Sequence, residues 1–114
     1  MLSQKLKPID LKTIKVHDPF WGKYTTLVTK EIIPYQWKAL NDDVEDAEPS
    51  HCISNFEIAA GLKDSEFQGW VFQDTDLAKW LEAVAYSLSY EPNPELEQRA
   101  DKAIDLIGKA PEEN

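Results

Sequence analysis

The chain has little from which a metal centre or a covalent framework is normally built. Its 114 residues include one cysteine and two histidines, Cys52, His17 and His51. A single cysteine excludes an internal disulfide, and one cysteine with two distant histidines makes no tetrahedral zinc set. Cys52 reads first as a small buried apolar group and second as a functional thiol. No stretch approaches the roughly 20 apolar residues of a membrane span, and the start "MLSQKLKPID" lacks the apolar core of a secretory signal. The expectation is a cytoplasmic chain with no membrane partner. Basic residues are also scarce, 12 against 21 acidic, for a formal net charge of −9. Counterion release from a phosphate backbone cannot drive binding at that charge, so nucleic acid is excluded as a partner, while neutral sugars and cationic partners stay open. Phosphate loops, nucleophile elbows and dinucleotide fingerprints are absent too.

What is present is helical. A chain of this size is one small domain by default. "KPIDLKTIKVHD" alternates apolar and polar residues, which predicts an extended segment, with an edge strand as its most regular form. From Asp18, "DPFWGKYTTLVTKEIIPYQWKAL" supplies an aspartate cap, a proline at the first helical position and a stripe of Tyr24, Leu27, Val28 and Ile32. Pro34 removes one amide donor from that helix and should bend or end it. "NDDVEDAEPS" at 41–50 carries five carboxylates without an apolar period and reads as a solvated loop. Ser50 then caps a short helix with Ile53, Phe56 and Ala60 inward, ending at Gly61.

After a second loop at 62–73, Leu77, Trp80, Leu81, Val84 and Leu88 mark a helix whose apolar surface is too wide for one stripe. It should be buried on more than one side. Asn93 and Pro94 start the next helix, with Leu96, Ala100, Ala103, Ile104 and Ile107 inward. So short a connection makes these two helices an antiparallel hairpin. The predicted class is all-α: helical hairpins after an extended lead-in, either a small bundle or one arc of a larger ring.

Candidate chemistry gathers in "GWVFQDTD". Trp70 and Phe72 are loop aromatics beside Gln73 and Asp74, and apolar rings next to hydrogen-bonding groups suit a furanose or pyranose ring. Asp74 is also an expected helix cap, and Asp76 a first-turn charge. The two carboxylates diverge by roughly 200° around the helix axis, so they cannot flank one glycosidic bond. His51, in "SHCISN", stands at a helix start where a neutral imidazole can face a cleft. Trp80 belongs to the core.

As a set, "DPFW" at 18–21, "IIPYQW" at 32–37, "SHCISNFEIAAG" at 50–61, "FQGWVFQDTDLAKWLEAVAYSL" at 67–88 and "NPELE" at 93–97 resemble the N-terminal region of glycoside hydrolase family 127, the β-L-arabinofuranosidases. The resemblance implies the first helical hairpins of an (α/α)6 barrel, with residues 1–17 as an extended lead-in and 18–114 as a partial catalytic domain. It also implies retaining cleavage of β-L-arabinofuranosides by a zinc-bound cysteine thiolate, a state poised at neutral pH.

Those zinc and nucleophile residues have no counterpart here, and the "SHCISN" setting of Cys52 matches an early helix rather than the cysteine-rich motif. No catalytic residue and no cofactor are therefore expected within this chain, zinc belonging to the full-length family. The end at "GKAPEEN", where relatives continue into further helices, reads as a truncated frame or a fragment. His51, Phe72, Gln73 and Asp74 are the expected substrate-rim residues. L-arabinofuranosides are the expected partner in the full-length context, and self-association is expected through uncovered helix faces. The competing reading is a free-standing acidic helical interaction module.

Overall fold

Five α-helices carry the chain in a computed structural model that describes residues 5–111. They are α1 Pro19–Leu27, α2 Ile33–Leu40, α3 Cys52–Ala59, α4 Asp74–Tyr90 and α5 Pro94–Lys109, with a π-helical segment Val28–Ile32 joining α1 to α2. Asp18 caps α1 as predicted, its carboxylate accepting from the amides of Phe20 and Trp21 at 2.8 and 3.0 Å. Asn93 caps α5 through the Leu96 amide at 3.1 Å.

The interruption at Pro34 takes a definite form. Rather than ending the helix, the chain widens into one π-helical stretch directly before the proline and resumes as α2. A π segment absorbs a missing i→i−4 donor by shifting the ladder one residue. Helix α3 stops in a Schellman turn, with Gly61 at φ +74° and the Leu62 and Gly61 amides donating to the Glu57 and Ile58 carbonyls at 2.8 and 3.0 Å.

Three local expectations need correction. No strand forms among the described residues; the lead-in instead carries a 3₁₀ turn at Leu11–Thr13, closed by Asp10, which accepts from the Lys12 amide. Its outer apolar residues are exposed, so its alternation has no sheet to pack on. Asp74 is not the cap of α4 but its first helical residue, the cap position being Gln73 in a turn that is already αR. Ser50 lies one residue outside the cap of α3; the cap is His51 at φ +60°, and Ser50 Oγ accepts from the Cys52 amide at 3.4 Å.

Helix α4 is the axis of the structure, packing against α2, α3 and α5, with the lead-in turn also against it. Leu77, Trp80 and Val84 are buried there with Ile33, Leu40, Cys52, Ile53, Leu96, Ala100 and Ala103. The Trp80 indole donates to the Ile33 carbonyl at 3.1 Å and lies against Trp37 with ring centroids 4.5 Å apart. Ile104, expected inward, is exposed. At the far end of α4, Tyr90 clasps the lead-in, its hydroxyl 3.3 Å from both the amide and the carbonyl of Val16, with the Lys15 ammonium over its ring.

The shape is open. The accessible surface is 9397 Å², against about 6,300 Å² for a compact monomer of this mass. The Cα radius of gyration is 17.6 Å, against about 13 Å for a compact domain of this length. Phe20, Trp21, Tyr24, Leu27, Val28, Ile32 and Tyr35 remain exposed along α1, the π segment and α2.

Candidate functional site

The start of α3, the start of α4 and the end of α2 meet at one place. Cys52, buried at that junction, donates its thiol proton to the Gln73 carbonyl at 3.1 Å. Burial pushes this thiol up from 9.0 to about 11; the carboxylates of Asp76, Asp74 and Asp42 push the same way, and the Leu77 amide opposes them. Cys52 is thus a neutral thiol in the physiological range, the opposite of what a nucleophile or a zinc ligand requires. Among the described residues no three His, Cys, Asp or Glu side chains gather to hold a metal ion.

His51 is held by Asp42, a residue of the acidic segment whose composition predicts a solvated loop. The His51 amide donates to Asp42 Oδ1 at 2.8 Å, and the imidazole Nδ1 lies 3.7 Å from Asp42 Oδ2. Both residues sit at φ +60°, a left-handed conformation that costs about 1 kcal/mol or more outside glycine and persists only where the surroundings fix it. Here one carboxylate does so.

His51 lines a polar cavity of about 300 Å³ with Asp42, Asn55, Lys63, Glu66 and Gln68. Asn55 was also missed. It spans thirteen residues to pair both its amide groups with the Gln68 backbone, donating to the carbonyl at 2.7 Å and accepting from the amide at 3.1 Å. Nothing in the sequence marks this residue, because an asparagine on the outer face of a short helix is ordinarily satisfied by water.

Gln73 organises its own turn. Its side-chain Oε1 accepts from the Trp70 amide at 2.9 Å, and its backbone amide donates to the Trp70 carbonyl at 3.1 Å. Gly69, at φ +84°, makes room: a Cβ there would stand 1.9 Å from Gln73 Oε1. Phe72 is exposed, with its ring nearly parallel to that of Trp70 at 6.1 Å. Asp74 is exposed in the first turn of α4.

Of the four expected rim residues, then, the structure joins His51 and Gln73 through Cys52, and leaves Phe72 and Asp74 on the surface beside Gln73. Only His51 lines the polar cavity. A second hollow of about 450 Å³ lies between α2 and α4, lined by Gln36, Ser50, Asp76, Lys79 and Trp80 among others. No helix of the described residues is long and apolar enough to cross a membrane.

This architecture is an all-α layer of packed helices with a polar hollow beside the start of α3, a second hollow between α2 and α4, and an uncovered aromatic face. Residues 13–114 match the family described as "β-L-arabinofuranosidase, GH127 catalytic domain". The chain belongs to glycoside hydrolase family 127. It is 39% identical over 109 residues to a non-reducing end β-L-arabinofuranosidase of Bifidobacterium longum, an alignment covering 85% of this chain and 17% of that protein. It also superposes, at a TM-score of 0.83 and 58% identity, on the crystal structure of a GH127 β-L-arabinofuranosidase from Geobacillus stearothermophilus T6, covering 86% of this chain and 15% of that one. The chain thus spans less than a fifth of the length of either relative.

Proposed function

We propose that this chain forms the first helical hairpins of an (α/α)6-barrel catalytic domain in a retaining β-L-arabinofuranosidase, residues 1–17 serving as lead-in and 18–114 as barrel wall. The observation that carries the reading is the superposition at a TM-score of 0.83 with 58% identity on a β-L-arabinofuranosidase. In this reading His51, Phe72, Gln73 and Asp74 contribute to the rim of the sugar pocket. His51 offers an imidazole nitrogen, Gln73 its amide NH₂, Asp74 a carboxylate and Phe72 a ring face. Bond cleavage, and the zinc thiolate that the family resemblance implies for it, belong to parts of the family's catalytic domain that this chain does not contain.

The test is a chimera in which residues 13–111 replace the matching segment of the Geobacillus enzyme. Turnover of nitrophenyl β-L-arabinofuranoside by the chimera, with none by the isolated chain, is the expected result. A well-folded but inert chimera would refute the reading.

A second reading, a free-standing acidic interaction module, draws on the exposed aromatic face of α1 and α2. It predicts an inert chimera and a partner protein seated on that face.

A further inference from the structure

We propose that Asp42 is a positioning residue: its carboxylate fixes the point at which His51 enters the polar cavity. That role rests on the reading of His51 as a rim residue of a β-L-arabinofuranosidase. It extends the working part of the site to a residue of the acidic loop that the rim does not include.

Among the described residues, every non-glycine backbone with positive φ lies in one stretch: Asp42 at +60°, Asp46 at +66° and His51 at +60°. Left-handed conformations outside glycine persist where the surroundings over-determine them, and they gather at functional sites. Here the first and last of the three are bonded to each other. Asp42 Oδ1 accepts from the His51 amide at 2.8 Å, closing a loop whose ends are nine residues apart in sequence. The second oxygen, Oδ2, stands 3.7 Å from His51 Nδ1. A carboxylate whose two oxygens face the backbone and the ring of one histidine restrains both.

What this does to His51 follows from its place at the start of α3. A cap residue is ordinarily extended, and its side chain turns onto the free amides of the first turn. His51 is left-handed and its side chain makes no cap hydrogen bond. Its carbonyl accepts from the Asn55 amide at 2.8 Å, and the Asn55 side chain in turn holds the Gln68 backbone. Both polar groups of the His51 backbone are therefore occupied, and the side chain is spent neither on the cap nor on the helix. Lys63, on the same cavity wall, donates to the Ser54 hydroxyl, so Asp42 meets His51 with no competing cation among the described residues. A binding group whose place is set before the ligand arrives loses less freedom on binding, which is read as a lower KM.

The test is a double-mutant cycle in the chimera, using glycine at both positions because glycine adopts positive φ freely and so removes the side chain alone. Asp42→Gly and His51→Gly should each raise KM for nitrophenyl β-L-arabinofuranoside about tenfold, with kcat changing less than KM. Asp42→Gly made in the His51→Gly background should add less than about twofold. Asp42→Asn keeps an oxygen for the His51 amide and a residue type that tolerates left-handed backbone, and should bring KM back to within about threefold of the parent. In the 114-residue chain itself, hydrogen exchange of the His51 amide should speed about tenfold in Asp42→Gly, with Leu77 and Val84 unchanged.

A full effect of Asp42→Gly that persists when His51 is already glycine would overturn the role, since the carboxylate would then act elsewhere. So would a melting temperature that falls in Asp42→Gly while KM stays fixed, because the contact would then only close the loop. Unaltered exchange at His51 would overturn it as well. An active chimera in which His51→Gly raises KM and Asp42→Gly does not rejects the positioning and leaves the family reading standing, whereas an inert parent chimera rejects the reading on which both rest.

Discussion

The thiol of Cys52 and the carbonyl of Gln73 are joined by a hydrogen bond of 3.1 Å. That bond couples the first residue of α3 to the last residue before α4, and so links the position of His51 to the shape of the Trp70–Gln73 turn.

The state of this thiol is testable by pH. Its folded value, about 11, lies above the ordinary 9.0. The fold therefore favours the protonated form; that contribution is complete below pH 9 and is lost as pH rises through 11. Stability of the wild type should fall across this window more steeply than that of Cys52→Ala, as read from urea midpoints. In native buffer at pH 8, iodoacetamide should label Cys52 about a hundredfold more slowly than in denaturant, from its thiolate fraction alone. Equal rates would show an accessible, ordinary thiol.

Trp80 carries the second prediction. Its indole N–H donates to the Ile33 carbonyl at 3.1 Å inside the core, next to the residue where Pro34 supplies no amide. Trp80→Phe removes both the donor and part of the ring volume beside Trp37, and should cost about 2 kcal/mol in chemical denaturation. A loss below about 0.5 kcal/mol would mean that α2 and α4 are not held by this contact.

A third prediction concerns Gly69. Alanine there must adopt φ +84° and place its Cβ where Gln73 Oε1 now sits, 1.9 Å away. The amide of Gln73 has to leave, freeing the Trp70 N–H. Gly69→Ala should cost about 1–2 kcal/mol and speed hydrogen exchange at Trp70, with little change at Leu77 or Val84 inside α4. Unaltered exchange at Trp70 would count against the turn as described.

Local rules made much of this fold legible. The caps at Asp18 and Asn93, the stop at Gly61 and the inward stripe of α4 each depend on residues within one or two helical turns, and each is found where the sequence places it. What failed depends on contacts made across the chain. Asp42 belonged to an acidic loop by composition, yet it turns to hold His51, nine residues on. Asn55 reaches thirteen residues to Gln68, and that bond fixes where the loop ends. Asp74 was the best residue type for a cap, but Gln73 had already closed the turn with Trp70, so the helix begins without needing its carboxylate. The edge strand failed for a related reason: alternation in the lead-in offers an apolar edge, and the Tyr90 clasp holds it with no neighbouring strand.

The last prediction concerns the uncovered face of α1 and α2. Phe20, Trp21 and Tyr24 pack edge to face with centroids 5.0 Å apart for both Phe20 pairs, and still leave 58%, 61% and 46% of their surface exposed. Tyr35 and Ile32 extend the patch. A contiguous apolar surface of this kind drives association in water at about 25 cal/mol per Å² buried. The net charge of −9 works against it, since two copies repel wherever their fields are unscreened. Self-association should therefore grow with ionic strength between about 20 and about 500 mM, as the screening length shrinks from roughly 20 Å to a few ångströms. Sedimentation velocity should show larger species as salt is added, and Trp21→Lys with Tyr35→Glu should restore the monomer by breaking the patch and adding charge on it. Association that weakens with salt would locate the contact on ion pairs instead, and a monomer at every salt concentration would mean the face is not sticky enough to need a cover.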